Sequence, residues 1–126
     1  MNDCTFIGRF VKDPDLHRIE KDDGNDTCVV RFCLAVQRKF KGTQRVNYLD
    51  FEAWDKGAEV IAQYCKKGDV LIVLDSSARN NNYTDKNTGQ EVRKIVFRVE
   101  KFDFPSNMGL ALVRKKDDDR DKEEET

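Results

Sequence analysis

The 126-residue sequence lacks the residue groupings on which metal sites and membrane anchors depend. It holds one histidine, His17, and four cysteines that form no C-x-x-C pair, so we expect no metal site. No apolar run approaches the roughly 20 residues that a membrane span needs. The first ten residues lack the basic-then-apolar layout of a secretory signal. These absences predict a soluble cytoplasmic protein with reduced thiols, no cofactor and no membrane partner.

The formal net charge of −1 hides a split between the body of the chain and its end. Residues 117–126 hold seven acidic and two basic side chains, a net charge of −5, which leaves +4 on the remainder. Such a charge run cannot bury apolar area, so we expect a disordered tail. The basic body can approach phosphates, and the tail can compete for that surface or recruit a basic partner protein. The acidic residues are Asp117, Asp118, Asp119, Asp121, Glu123, Glu124 and Glu125.

The stretch 45–55, RVNYLDFEAWD, has the alternation of a half-buried strand, but its polar side is unusual. Three apolar residues fall on one side, which we expect to face a core. The other side carries Tyr48, Asp50, Glu52 and Trp54, and the last is the only tryptophan of the chain. Either a second layer of protein covers these two rings, or they form an open platform on which nucleic-acid bases stack.

Four further segments have strand patterns and one has a helix pattern. The predicted strands are 4–11, 28–37, 69–76 and 91–102, and the predicted helix is 56–67, with Asp55 as its N-cap and Gly68 at its C′ position. One helix between the third and fourth of five strands is the layout of the OB-fold, an all-β Greek-key barrel that often binds oligonucleotides. We therefore predict an OB-fold domain at 1–105 and a short flexible acidic tail at 106–126.

Two predicted hairpins place a ring beside cations. Phe40 lies at a basic tip that leads through Gly42 and Thr43 into the central strand, and Tyr83 precedes the turn-rich loop TDKNTGQ. The cations are Arg38, Lys39 and Lys41 in the first hairpin and Lys86 in the second. Each tip alone could be an ordinary solvated loop, but a ring among cations favours contact with nucleic acid.

Four segments, in this order, resemble the bacterial and phage single-stranded DNA-binding proteins. They are FIGRFVKDPDLHRI, VVRFCLAVQ, NYLDFEAWDKGAEVIAQYCKKGD and NYTDKNTGQEVRK, and the resemblance covers residues 2 to about 104. It implies a non-enzymatic protein that binds single-stranded DNA regardless of sequence and protects it in replication, recombination and repair. It also implies a homo-oligomer, usually a tetramer with a dimer as the alternative, in the bacterial cytoplasm and nucleoid or in a phage-infected cell.

The resemblance also implies roles for individual residues. The base-stacking positions of the family correspond to Phe40, Tyr48, Trp54 and Tyr83. Its backbone-tracking cations correspond to Arg9, Arg38, Lys39, Lys56 and Arg79, and we add Lys41, Lys86 and Arg98 as further phosphate contacts because they lie beside these positions or face outward.

Three features depart from the pattern of that family. Only one stacking position, Trp54, holds tryptophan. Two carboxylates, Asp50 and Glu52, share the outward face and would repel DNA unless Arg38 or Arg98 pairs with them. The tail ends EEET and lacks the Pro-Phe end through which cellular members bind replication and repair proteins, which suits a phage or mobile-element version.

Other functions are compatible with parts of the pattern. An RNA-binding or primosome-type OB module would use the same rings and cations, because stacking does not sense the 2′-hydroxyl. A nuclease could hold a metal ion on Asp50 and Glu52, although no histidine lies near them. A protein-interaction domain would bury the outward rings in a subunit interface.

Overall fold

The computed structural model describes residues 1–106, except for the side chain of Phe40. The predicted tail, with its acidic residues at 117–125, lies outside the described residues. The strands are β1 (Cys4–Phe10), β2 (Asp15–Ile19), β3 (Thr27–Phe40), β4 (Thr43–Trp54), β5 (Val70–Asn80), β6 (Tyr83–Thr84), β7 (Glu91–Val92) and β8 (Ile95–Asp103), with helix α1 (Asp55–Tyr64) after β4. No helix in this part of the chain has the length and apolarity to cross a bilayer.

Five of the strands close into a barrel. Their order around it is β1-β5-β8-β4-β3, and β1 pairs with β3 to complete the ring, while β2 extends the sheet beyond β3. β4 and β8 run parallel, with Phe51 opposite Phe97, and the other barrel pairs are antiparallel. Along the chain, helix α1 lies between β4 and β5, which are the third and fourth of the five barrel strands. The predicted OB-type barrel is therefore confirmed.

The core is built on aromatic rings from four strands. Phe51 is 1% exposed, and its ring centroid lies 5.3 Å from that of Phe6, 5.5 Å from that of Phe32 and 5.4 Å from that of Phe97. Each of these rings lies on the side that the alternation of its strand assigns to the core. The barrel therefore closes around one aromatic cluster.

Gly8 permits β1 to cross β3 closely. A Cβ atom on Gly8 would lie 2.9 Å from the Cβ of Leu34 and 3.0 Å from the carbonyl oxygen of Ala35. Distances this short require the backbone of β3 to move. The absence of a side chain at Gly8 therefore allows the two backbones to approach closely.

The start of α1 differs from the prediction. Asp55 does not cap the helix, because Trp54 is the N-cap residue and makes no side-chain capping bond. Asp55 is the first helical residue, with φ of 55°, and its carboxylate accepts a hydrogen bond from the hydroxyl of Thr27. The carboxylate thus bonds to β3 instead of capping its own helix.

The end of α1 also differs, because the helix stops at Tyr64 and not at residue 67. The backbone N–H of Lys66 donates to Oδ2 of Asp69 at 2.8 Å, and the N–H of Asp69 donates to the carbonyl of Lys66 at 2.9 Å. These bonds form a turn in which Gly68 has φ of 92°. Gly68 therefore serves this turn, and its assignment to the C′ position was wrong.

The predicted strand 91–102 is interrupted in the structure. The N–H of Asn81 donates to the carbonyl of Lys94 at 2.8 Å, and the N–H of Lys94 donates to Oδ1 of Asn82 at 3.0 Å. These bonds let the backbone leave the barrel, so β7 pairs with β6 in a separate two-stranded hairpin. β8 begins only at Ile95.

The stability of the domain should fall between pH 9 and pH 11 because of Cys65. Cys65 is 3% exposed, and burial, helped by the Asp69 carboxylate, raises the pKa of its thiol from 9.0 to about 11. Below pH 9 the thiol is protonated in both states; between pH 9 and 11 only the unfolded state releases the proton. We expect this to remove roughly 2 kcal/mol from the free energy of unfolding.

Urea unfolding at pH 8, 9, 10 and 11 measures this loss. The Cys65→Ala variant is the control, since it should be less stable at pH 8 but should lose less stability on going to pH 11. An identical pH dependence in the two proteins would contradict the assignment to Cys65.

Candidate nucleic-acid interface

Tyr48 lies at one end of an outward row of residues that crosses three strands. It is 67% exposed and lies opposite Ala35 of β3, which in turn lies opposite Arg9 of β1. Directly paired residues share a face and neighbouring strands are about 4.8 Å apart, so the backbones at Arg9 and Tyr48 are about 10 Å apart. The Arg9 guanidinium donates to the carbonyl of Gly68 at 2.8 Å. The structure thus places an arginine and an open ring in one row.

A shallow pocket lies beside this row. Its volume is about 260 Å³, and its lining consists of Ile7, Gly8, Arg9, Ala35, Gln37, Val46 and Val70. Ile7 is 60% exposed, and Val46 is also exposed. Ile7 and Val46 were not among the predicted site residues, although the alternation puts Ile7 on the same side as Arg9 and Val46 on the same side as Tyr48.

Trp54 occupies the far end of the same face of β4. It lies six residues beyond Tyr48, so the two rings share a side of the strand and are about 20 Å apart along it. Trp54 lies opposite Val29 and is partly buried. The two rings therefore share one face but cannot hold the same base.

Glu52 and Arg98 connect this tryptophan to β8. The indole Nε1–H of Trp54 donates to Glu52 Oε2 at 3.3 Å, and the Nε–H of Arg98 donates to the same oxygen at 3.0 Å. The guanidinium carbon of Arg98 lies over the indole ring, 5.4 Å from its centroid. The expectation that Glu52 faces solvent was wrong, because these two side chains leave it only 8% exposed. The pairing with Arg98 that would reduce repulsion of DNA is present at Glu52.

Asp50, the second carboxylate, stays exposed. It lies opposite Cys33 of β3. Burial raises the pKa of the Cys33 thiol, the Asp50 charge adds to this shift, and Lys12 opposes it. The two carboxylates thus have different environments, so they do not form a matched pair of ligands.

The long hairpin turns at Lys41 and Gly42, one residue earlier than predicted. Their φ angles are 49° and 79°, as in the two-residue turns that suit antiparallel strands. Lys39 lies opposite Gln44 and therefore shares the side of Tyr48, whereas Arg38 lies opposite Arg45 on the other side. Arg38 is therefore a poor partner for Asp50 or Glu52. The side chain of Phe40, the predicted stacking residue of this tip, lies outside the described residues.

The late hairpin leaves the barrel at the Tyr48 end of the sheet. Because Phe51 lies opposite Phe97 in the parallel β4–β8 pair, Tyr48 is level with residue 94, where the chain enters β8. Tyr83 is 50% exposed in this hairpin and pairs with Val92. Lys86 is exposed in the loop between β6 and β7. Both predicted hairpins thus project from the end of the sheet that carries Tyr48.

Arg79 and Lys56 lie in two other places. Arg79 lies opposite Val96 and two residues beyond Ser77, which is opposite Arg98, so it shares the outward face of Arg98. Its Nε–H donates to the hydroxyl of Ser77 at 3.3 Å. Lys56 is in the first turn of α1, beside a pocket of about 390 Å³ that is also lined by Arg18 and Glu59. Lys56 is near Trp54 along the chain but belongs to the side of the barrel that carries the helix.

Comparison with known proteins gives consistent matches. The model of the "Single-strand binding protein family" matches residues 1–105. "Single-stranded DNA-binding protein 1" of Synechocystis sp. is 35% identical over 105 residues, which are 82% of this chain and 83% of that protein. "Single-stranded DNA-binding protein" of Clostridium perfringens is 36% identical over 104 residues, 82% of this chain and 65% of that protein. "Single-stranded DNA-binding protein 1" of Nostoc sp. is 34% identical over 104 residues, 82% of each chain.

Proposed function

Because this chain belongs to the single-strand binding protein family, we propose that it binds single-stranded DNA without regard to sequence. Bases would stack on outward rings, and lysine and arginine side chains would neutralise phosphates. The observation that carries the proposal is Tyr48, an aromatic side chain 67% exposed on the open face of β4 with Arg9 in the same row. A ring so exposed contributes little to the fold, whereas a stacked base would bury it.

The layout of the outward face supports a DNA path along β4. Tyr48, Lys39 and the two hairpins lie at one end of this path, and Trp54 with Arg98 lies at the other. We assign base stacking to Phe40, Tyr48, Trp54 and Tyr83. We assign phosphate contacts to Arg9, Arg38, Lys39, Lys41, Lys56, Arg79, Lys86 and Arg98.

The environment of Glu52 favours binding over cleavage. A nuclease would need Asp50 and Glu52 to offer their oxygens to a metal ion together. Oε2 of Glu52 already accepts two hydrogen bonds, and the carboxylate is 8% exposed. Asp50 is exposed to solvent on the same strand. We therefore propose that the protein binds single-stranded DNA and does not cleave it.

The same family membership supports a wider role, which we also propose. The protein would protect and organise unpaired DNA during replication, recombination and repair in the cytoplasm. It would act as a homo-oligomer, a tetramer or a dimer, with DNA crossing from one subunit to the next. The acidic residues at 117–125 would contact partner proteins.

Fluorescence of Trp54 during titration with oligo-dT tests the proposal, because this is the only tryptophan. We expect strong quenching by oligo-dT, little by duplex DNA, and an affinity that falls as salt rises. The slope of log K against log salt should be about −0.7 for each phosphate contact. Equal quenching by oligo-U would favour the RNA-binding module instead. Absence of binding would favour a protein-interaction domain whose rings lie in a subunit interface.

A further inference from the structure

Glu52 is the one charged residue among the buried residues of the described part of the chain. A carboxylate taken out of water is costly unless nearby donors satisfy it. Here Trp54 and Arg98 supply the donors, and both donate to a single oxygen. Glu52 is therefore held by the same two side chains to which we assign DNA contacts. This raises the question of whether Glu52 itself contributes to DNA binding.

The two hydrogen bonds fix the position of the tryptophan ring. A tryptophan at the end of a strand can turn about its two side-chain torsions, and ordering it on binding would lower the affinity. The bond from Nε1–H to Glu52 ties one edge of the ring to its own strand. The Arg98 guanidinium lies over one face at 5.4 Å, within the range of a cation–π contact. The other face of the ring is then the one left for a base.

The same carboxylate sets the role of Arg98. Its Nε–H is committed to Glu52, so the charge of the arginine is offset by a carboxylate 3.0 Å away. Arg98 is also partly exposed, with 34% of its side-chain surface accessible. The remaining N–H groups of the guanidinium can meet a phosphate or the edge of a base, while its orientation stays fixed.

We propose that Glu52 is a positioning residue for single-stranded DNA binding, which holds Trp54 and Arg98 as one preorganised unit. This inference rests on the proposed function. It makes a prediction opposite to that of simple electrostatics. Removing a negative charge from a DNA-binding face should tighten binding, whereas removing the residue that orders Trp54 and Arg98 should weaken it.

Two variants separate these outcomes, because each removes one negative charge from the same face of β4. They are Glu52→Gln and the matched control Asp50→Asn. The affinity for a dye-labelled oligo-dT is measured by anisotropy of the dye, which does not depend on Trp54, and the quenching of Trp54 at saturation is recorded in parallel. Melting temperatures of the proteins without DNA show whether each variant is folded.

We expect Asp50→Asn to bind more tightly at low salt and to keep the full quenching. Glu52→Gln should bind roughly two- to tenfold more weakly, the fold-change that ordering one or two side chains costs, and its quenching should be smaller. A purely structural role would lower the melting temperature but leave the quenching of the folded protein unchanged. Tighter binding by Glu52→Gln, with full quenching, would overturn the inference.

A double-mutant cycle with Arg98→Gln gives an independent readout. If Glu52 acts through Arg98, the fold-loss from Arg98→Gln should be clearly smaller in the Glu52→Gln background than in the original protein. Equal losses in both backgrounds would contradict the inference. Failure of the original protein to bind oligo-dT would refute the proposed function itself, whereas binding with equal losses refutes only the role of Glu52.

Discussion

Replacement of Tyr48 by alanine should weaken oligo-dT binding by roughly five- to a hundredfold and leave the fold intact. The ring is 67% exposed on the outward face, so its removal takes little from the core. One base stacked on an aromatic side chain is worth about 1–3 kcal/mol, and each 1.4 kcal/mol is tenfold in affinity. Anisotropy of a labelled oligo-dT measures the change without relying on Trp54.

Tyr64→Ala is the matched control for this experiment. Tyr64 is 64% exposed, but it ends helix α1, where its ring packs at 6.5 Å from that of Phe104. It therefore presents a similar area of aromatic surface in another part of the protein. We expect its affinity for oligo-dT to match that of the original protein. An equal loss of affinity in both variants would mean that exposed tyrosines contribute to binding wherever they lie on the surface. That result would contradict a DNA path along β4.

Replacement of Phe51 by alanine should lower the free energy of unfolding by about 3–5 kcal/mol. The ring is 1% exposed and contacts the rings of Phe6, Phe32 and Phe97. Its removal leaves a cavity at the centre of the barrel that these rings cannot fill without moving their strands. Because a domain of this size is typically stable by only 5–15 kcal/mol, the variant should be near its unfolding transition at moderate temperature.

Chemical denaturation of Phe51→Ala beside Ile95→Ala tests this expectation. Ile95 is 50% exposed at the start of β8, so its truncation should cost less than about 1 kcal/mol. A loss at Phe51 no larger than that at Ile95 would mean that the barrel can collapse around the missing ring. The aromatic cluster would then not be its centre.

The alternation of the central strand predicted the outward side of Tyr48 and the inward side of Phe51 correctly. Period two is a local property of one strand, so it can be read without knowledge of the partners. Local patterns in the other segments, alternation in the strands and helical spacing in 56–67, gave the order of strands and helix, from which the barrel was predicted. These successes share one cause, which is that each depends on neighbours along the chain.

The burial of Glu52 could not be predicted from alternation alone. The residue lies on the outward side of β4, as the pattern indicates, but Arg98 covers it from β8, 46 residues away. The parallel register that brings β8 beside β4 cannot be predicted from the residue pattern of either segment. The failed cap at Asp55 has the same origin, because its carboxylate accepts a hydrogen bond from the hydroxyl of Thr27, a residue of another strand 28 positions away. The side of a strand on which a residue lies is a local property, whereas the exposure of that residue depends on tertiary contacts.

The closure of the barrel has a consequence for synthesis of the protein. β1 gains its second neighbouring strand only when β5 has been made, with Phe6 opposite Val73. Glu52 meets Arg98 only after another 46 residues have been added to the chain. At typical rates of 5–20 residues per second, a ribosome takes about 2–9 s to cover that interval. During this interval the chain lies beside its own messenger RNA, which is itself a single-stranded nucleic acid. The late arrival of β8 leaves the barrel open, and Glu52 without Arg98, until nearly the whole domain has been translated.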